Sequence, residues 1–300
     1  MQNFIKLFRA SLIARLLYTL PFFFLAACST MSRGKNAQDI AIPAGLTQTT
    51  VAAAPFLLAQ FARIGSPGQE AHLYIEGDGL AWLGQRTPSL DPTPTNPVAL
   101  KLAAADPAAN VIYLARPCQY TKLVTDGACQ QKYWTSHRFA PEVIDSMNEA
   151  LDAIKAQNRI SGFHLIGFSG GANIAALLAA ERNDILSLRT VAGNLDHVLL
   201  HKMHNVSQTL SSLNAKDQAK ATSRIPQYHF IGGADEIVSP AIAQSFISAA
   251  GQTRCIQTQI VPGLGHDAGW AAIWPSLLAR PVACLEENDL PYAFADHHIE

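Results

Sequence analysis

A mostly parallel α/β sheet flanked by helices is the fold class this sequence predicts, and three observations predict it. Short apolar runs of β character recur along the 300 residues, helical patterns stand between them, and 49% of the chain is hydrophobic, ample for one large core. Strands that alternate with helices pair in parallel and are covered on both faces, with functional residues at their carboxyl ends. No repeat of fixed period runs through the chain, which excludes solenoid and collagen architectures. The charge balance narrows function as well. Twenty-two Lys and Arg against 23 Asp and Glu give a net charge of −1. No basic excess is present to neutralise phosphates, so nucleic acid is not an expected partner.

The amino end reads as an address. Lys6, Arg9 and Arg15 are the only charges of the first fifteen residues, and a short apolar run, residues 16–27, leads to Cys28. Twelve residues cannot span a bilayer core, which takes about 20. A basic start, a short apolar stretch and small residues before a cut site describe a signal peptide. The block Leu25-Ala26-Ala27-Cys28 resembles a bacterial lipobox. That resemblance implies a lipoprotein signal peptide over 1–27, lipidation of Cys28, and a protein held in the bacterial cell envelope. Ser29 after the cysteine implies the outer membrane. Residues 28–46, small and polar, read as a tether, and 47–300 as one domain.

Within that domain, Phe56–Arg63 and Ala71–Ile75 read as strands joined by a Gly-Ser-Pro-Gly turn, which predicts a hairpin. Asn96–Ala105 reads as a helix and Val111–Ala115 as a buried strand. Pro141–Arg159 is amphipathic at helical spacing through Val143, Ile144, Met147, Leu151 and Ile154. Phe163–Gly167 is a strand and Gly171–Arg182 a helix. Leu188–Ala192, Tyr228–Ile231 and Ile256–Val261 supply further strands, alternating with helices Pro240–Ala250 and Ala268–Leu278. Residues 193–225 form a small insert in the usual position of a lid.

Chemistry concentrates in three turns. Gly167-Phe168-Ser169-Gly170-Gly171 joins an apolar strand to an Ala/Leu-rich helix, the setting in which a serine is exposed on a strained turn and flanking glycines avoid collisions. A serine hydroxyl needs a base, and the base an orienting acid. Asp235, in Gly232-Gly233-Ala234-Asp235, and His266, in Gly263-Leu264-Gly265-His266, each follow the carboxyl end of a predicted strand, Tyr228–Ile231 and Ile256–Val261. The order Ser169, Asp235, His266 and the three motifs GFSGG, GGADEIV and GLGHDAGW resemble the α/β-hydrolase fold over essentially the whole domain. The resemblance implies a Ser-His-Asp serine hydrolase of the carboxylesterase kind with no cofactor. Its oxyanion hole would take one backbone N–H from Gly170. The second donor in such proteins often follows a His-Gly-Gly; here the segment is Glu76-Gly77-Asp78-Gly79, and Asp78 N–H takes that part.

Other residues compete for attention. Asp196 stands where some members of the fold carry the acid. His197, His201 and His204 share one helix face; a polar face is expected there, and no metal. Tyr133 and Trp134 either line an acyl pocket or pack. In an oxidising compartment Cys118, Cys129, Cys255 and Cys284 allow three pairings. The local one, 118–129 with 255–284, closes the shortest loops. The expected activity is therefore a lipid-anchored serine hydrolase acting on a small-molecule acyl substrate. A peptidase, thioesterase or acyltransferase, or a non-catalytic envelope binding module on the same fold, are the alternatives.

Overall fold

A computed structural model describes residues 33–84, 86–121 and 127–285. The signal peptide read over 1–27 and the lipidation site Cys28 lie outside the described residues. In chain order the elements are α1 (residues 33–41), β1 (Thr47–Ala53), β2 (Phe56–Ile64), β3 (Ala71–Ile75), β4 (Trp82–Gly84), β5 (Thr87–Pro88), α2 (Val98–Ala104) and β6 (Asn110–Leu114). They continue as α3 (Pro141–Asn158), β7 (Phe163–Phe168), α4 (Gly170–Glu181), β8 (Ile185–Val191), α5 (His197–Met203), α6 (Ala219–Thr222), β9 (Gln227–Gly232), α7 (Pro240–Ala250), β10 (Ile256–Val261) and α8 (Trp270–Leu278).

Eight strands make one sheet in the order β1-β2-β6-β3-β7-β8-β9-β10, parallel from β6 onward and antiparallel at the β1–β2–β6 end. Alternate side chains of the central strands serve opposite faces. Leu73 and Ile75 of β3 join α3, α4 and α7 in one buried cluster, while Tyr74 joins α1, α2 and α8 in the other. Tyr74 also binds the layers together, donating its hydroxyl to Asp106 (2.6 Å) and accepting from Trp274 Nε1 (2.9 Å). The small insert carries α5 and α6, and α6 packs on α4 and α7.

The expected hairpin does not form. β2 pairs antiparallel with β1, and β6 inserts between β2 and β3. The reason is burial: every residue of β6 and four of the five of β3 are buried, so both belong in the interior of the sheet. β1 shows a largely exposed pattern and closes the edge. Asn110, at the head of β6, replaces the hairpin bonds by donating to the carbonyls of Ser66 and Glu70 and accepting from Ser66 N–H.

The tether is also shorter than expected. Within 28–46, residues 33–41 form α1, whose Ala37 and Ala41 are buried, as is Leu46 beyond it. Arg33 fixes the start of α1, donating to the Asp91 carboxylate (2.9 Å) and to the Asp91 and Thr93 carbonyls (3.1 and 2.7 Å).

A docked α1 can be tested. Ala37→Asp places an unpaired carboxylate in a fully buried position and should destabilise the fold by on the order of 3 kcal/mol. A several-degree fall in Tm is expected; a tether would tolerate the change without one.

Candidate active site

β7 runs into α4 through a single residue, Ser169, whose φ of 50° lies in the left-handed region that side chains avoid. The backbone around it leaves little alternative. Ser169 N–H donates to the Val191 carbonyl (3.0 Å), and its own carbonyl accepts from Ala172 and Asn194 N–H (both 3.0 Å). Glycines permit the close crossing: a Cβ on Gly167 would fall 2.5 Å from Ala172 Cα, and one on Gly171 2.3 Å from the Ile75 carbonyl. The turn therefore pushes the Ser169 hydroxyl out at the carboxyl end of the sheet.

Two further turns meet it there. Asp235 follows β9 and His266 follows β10, and these parallel neighbours are tied by Gly233 N–H to the Val261 carbonyl (2.9 Å) and Ala234 N–H to the Leu264 carbonyl (2.8 Å). His266 Nε2 lies 2.9 Å from Ser169 Oγ, and His266 Nδ1 lies 2.9 Å from Asp235 Oδ2. The other carboxylate oxygen accepts N–H bonds from Ile237 and Val238, each 2.8 Å. Burial pushes the Asp235 carboxyl upward, but the His266 bond and these amides outweigh it and hold it below its ordinary range. With Nδ1–H donated to that carboxylate, the Nε2 lone pair faces the serine proton. Trp270 steadies the histidine turn, its indole N–H shared between the carbonyls of Gly265 and His266 (both 3.0 Å).

Asp196 has different work. It caps α5 through Leu199 N–H (3.1 Å) and accepts from Asn214 (3.0 Å) and Ser245 (2.6 Å), with Lys216 at 3.2 Å. Those partners occupy both of its oxygens, and the imidazole stands against Asp235 instead.

The Glu76–Gly79 segment leaves β3 directly beside the serine turn. Its Asp78 carboxylate lies against Gly170, where an added Cβ would come within 2.1 Å of Oδ1. Gly170 N–H, the first of α4, has no acceptor within its helix. A carboxylate beside such a donor would repel a developing negative charge, and two arginines counter it: Arg116 bonds Asp78 Oδ1 and Arg138 lies 3.3 Å from Oδ2. Burial raises the Asp78 pKa, yet the two guanidiniums hold it below the usual carboxylate range. Sequence reasoning missed both arginines. Arg116 had a faint signal, as a charge directly following a buried strand; Arg138 had none.

Arg138 also reaches His201 Nε2 (2.5 Å). Burial first, then that guanidinium, push the His201 imidazole down to about 4, so it stands neutral at pH 7. His204 bonds the Ile237 carbonyl (2.7 Å), beside the acid turn. The three helix-face histidines are thus no plain polar surface: His197 and His201 are buried, and no metal-holding cluster occurs among the described residues. Asp78, Trp82, Arg138, His201, His204 and Val206 line a cavity of about 510 Å³ next to the serine turn. Tyr133 and Trp134 pack instead of lining it. Tyr133 meets Phe56 edge-on at 4.8 Å, and Trp134 is buried with its indole N–H on the Ser89 carbonyl (3.0 Å). Cys118 pairs with Cys129, bracing the strand-end loop that carries Arg116, and Cys255 pairs with Cys284, tying β10 to the chain beyond α8.

Fold and serine turn together define an α/β serine hydrolase. Residues 98–261 match the Serine hydrolase (FSH1) family, and the chain belongs to that family. Among curated proteins none is similar enough in sequence to count as a relative. Solved structures extend the likeness in fold. A Pyrococcus furiosus esterase shares 13% identity at a TM-score of 0.53, covering 78% of this chain and 88% of its own. A Xanthomonas campestris serine hydrolase without lid shares 15% at 0.51, covering 77% and 91%. A bacterial membrane phospholipase A, described as a virulence factor, shares 15% at 0.52, covering 91% and 98%.

Glu76 generates a prediction about pH. Oε1 accepts Gly77 N–H (2.9 Å) and Ala99 N–H (3.4 Å), while the whole side chain is buried. Burial outweighs these donors and raises its pKa from 4.5 to about 7. Between those values the unfolded chain has lost the proton that the folded chain keeps, so this group lowers stability as pH rises through that window. Glu76→Gln should flatten that slope, and denaturant titrations of both proteins across the window should diverge most at the upper end.

Proposed function

We propose that this protein is a lipid-anchored serine hydrolase of the bacterial cell envelope that cleaves carboxylic esters of small molecules through Ser169, His266 and Asp235. The observation that carries the reading is the pair of 2.9 Å contacts joining Ser169 Oγ, His266 and Asp235 in one line. Ser169 Oγ attacks the ester carbonyl carbon while His266 Nε2 takes its proton, and Asp235 stabilises the imidazolium. The carbonyl oxygen, now negative, is held by the N–H groups of Gly170 and Asp78. Collapse of the adduct breaks the bond to the alcohol oxygen, which receives the proton from His266. Water, deprotonated by the same nitrogen, then releases the acid and restores the serine. Every step uses groups of this chain. A binding module without catalysis would have no need to hold a serine in a left-handed turn against a base. Two structural neighbours are described as an esterase and a phospholipase A. The anchor rests on the lipobox at Cys28.

A fluorophosphonate probe should label the wild-type protein and leave Ser169→Ala unlabelled. On p-nitrophenyl esters of graded length, Ser169→Ala and His266→Ala should each lower kcat by about 10⁴-fold or more, and their combination little further. Asp235→Asn should cost somewhat less, and Asp196→Asn only a few-fold. A crippled Asp196→Asn beside a mild Asp235→Asn would move the acid to Asp196.

Anchoring has its own test. Cys28→Ala should leave hydrolysis of soluble esters intact and transfer the protein from the membrane pellet to the soluble fraction. Retention in the pellet after a salt wash would refute the lipid anchor.

A further inference from the structure

Large apolar side chains are exposed in the segments around the cavity that Asp78 lines beside Gly170. Trp82 and Val206 line the cavity beside Asp78 and are partly open to solvent. Leu83 follows Trp82, Leu210 follows the lining residue Thr209, and Leu90 lies in the segment that Ser89 N–H ties to the Ala81 carbonyl; they are 64%, 94% and 76% exposed. Ile237, two residues from Asp235, is also exposed. These side chains come from the β4–β5 hairpin and the segment after it, from the segment after α5, and from the acid turn, whose Ile237 carbonyl bonds His204 of the same cavity. Scattered exposed leucines need no explanation; several large apolar side chains in the segments beside one cavity do.

The amino end supplies the second observation. Arg33 is bonded to Asp91 and Thr93, and Asp91 directly follows the exposed Leu90. Cys28 precedes Arg33 by five residues, which reach at most about 18 Å when fully extended. A domain of roughly 250 residues is about 45 Å across by the size scaling of compact chains. The lipidated residue therefore cannot reach round to the far end of the molecule. It stays near Leu90, on the side where the rim lies.

We propose that the apolar rim of Trp82, Leu83, Leu90, Val206, Leu210 and Ile237 docks on the lipid surface that holds the anchor, so that the catalytic mouth opens onto the bilayer. The proposal rests on the lipid-anchor reading, and it makes acyl esters dissolved in the bilayer the substrate class that the mouth meets first. A short strap and an apolar rim act together: the strap fixes which side faces the membrane, and the rim sets how closely that side approaches.

The tryptophans make the orientation measurable. Trp134, Trp270 and Trp274 are buried, whereas Trp82 is exposed on the rim. The full-length lipidated protein, reconstituted on phosphatidylethanolamine–phosphatidylglycerol vesicles with bromine in the upper acyl chain, should show quenched tryptophan emission. Trp82→Phe should remove the quenchable component. The triple variant Leu83→Glu, Leu90→Glu, Leu210→Glu alters exposed positions only. It should still pellet with the vesicles but lose the quenching. Its turnover of an ester embedded in those vesicles should fall by about tenfold or more, with soluble p-nitrophenyl ester turnover within about twofold of wild type. Pelleting reports the anchor and quenching reports the docking, so the two readings fail separately. Anchored protein whose Trp82 is not quenched would overturn the proposal. So would a detergent-stable dimer that the triple variant disrupts, which would make a second copy of the chain the occupant of the rim.

Discussion

The chain between β7 and α4 has to reverse its character within one residue, and the surroundings allow that residue almost no freedom. The Ser169 N–H is held by Val191 of β8, and its carbonyl by Ala172 and Asn194. The Ile75 carbonyl at the end of β3 stands where a side chain on Gly171 would go. Ala172 belongs to α4 itself, and the other contacts come from the β3 and β8 neighbours of β7 in the strand order β3-β7-β8. The serine keeps a strained backbone because three elements hold it there at once. The line to His266 and Asp235 depends on the same sheet, since β9 and β10 bring those turns to the end at which Ser169 emerges.

Electrostatics around the turn follow a second rule: acids near the serine are either countered by guanidinium groups or kept protonated by burial. Asp78 would oppose an oxyanion at Gly170, and it is flanked by Arg116 and Arg138. Burial, and then Arg138, keep His201 neutral at pH 7. Glu76, wholly buried behind the loop, holds its proton up to about pH 7. The loop that follows β3 is thus shaped by acids whose charge is either paired or suppressed, in place of the histidine often found at that position of the fold.

The sequence made some of this legible and hid the rest, for physical reasons. The three turns bearing Ser169, Asp235 and His266 could be read because each follows a strand-like run and carries its own glycines, all local properties. The pairing of β1 with β2 could not, because Thr47–Ala53 is a polar edge strand whose order comes from its partner. The insertion of β6 was hidden for a related reason: burial of both neighbours decides it, and no turn motif does. α1 looked like a tether because its small buried face, Ala37 and Ala41, is too modest to stand out among polar residues. Arg138 and His201 meet across 63 positions, a separation over which periodicity says nothing.

The spacing of the three turns has a consequence for biogenesis. Ser169 lies 97 positions before His266, and Asp235 lies 31 before it. Among the described residues β9 and β10 are the last strands and form the far edge of the sheet, so Ser169 is made long before Asp235 and His266. Contacts of such separation form late, because loop-closure entropy opposes them until most of the sheet exists. A partly made or partly folded chain therefore carries Ser169 without His266 and Asp235 beside it. Under the proposed function, chemical competence arrives only when β10 is laid down, which couples activity to completion of the sheet.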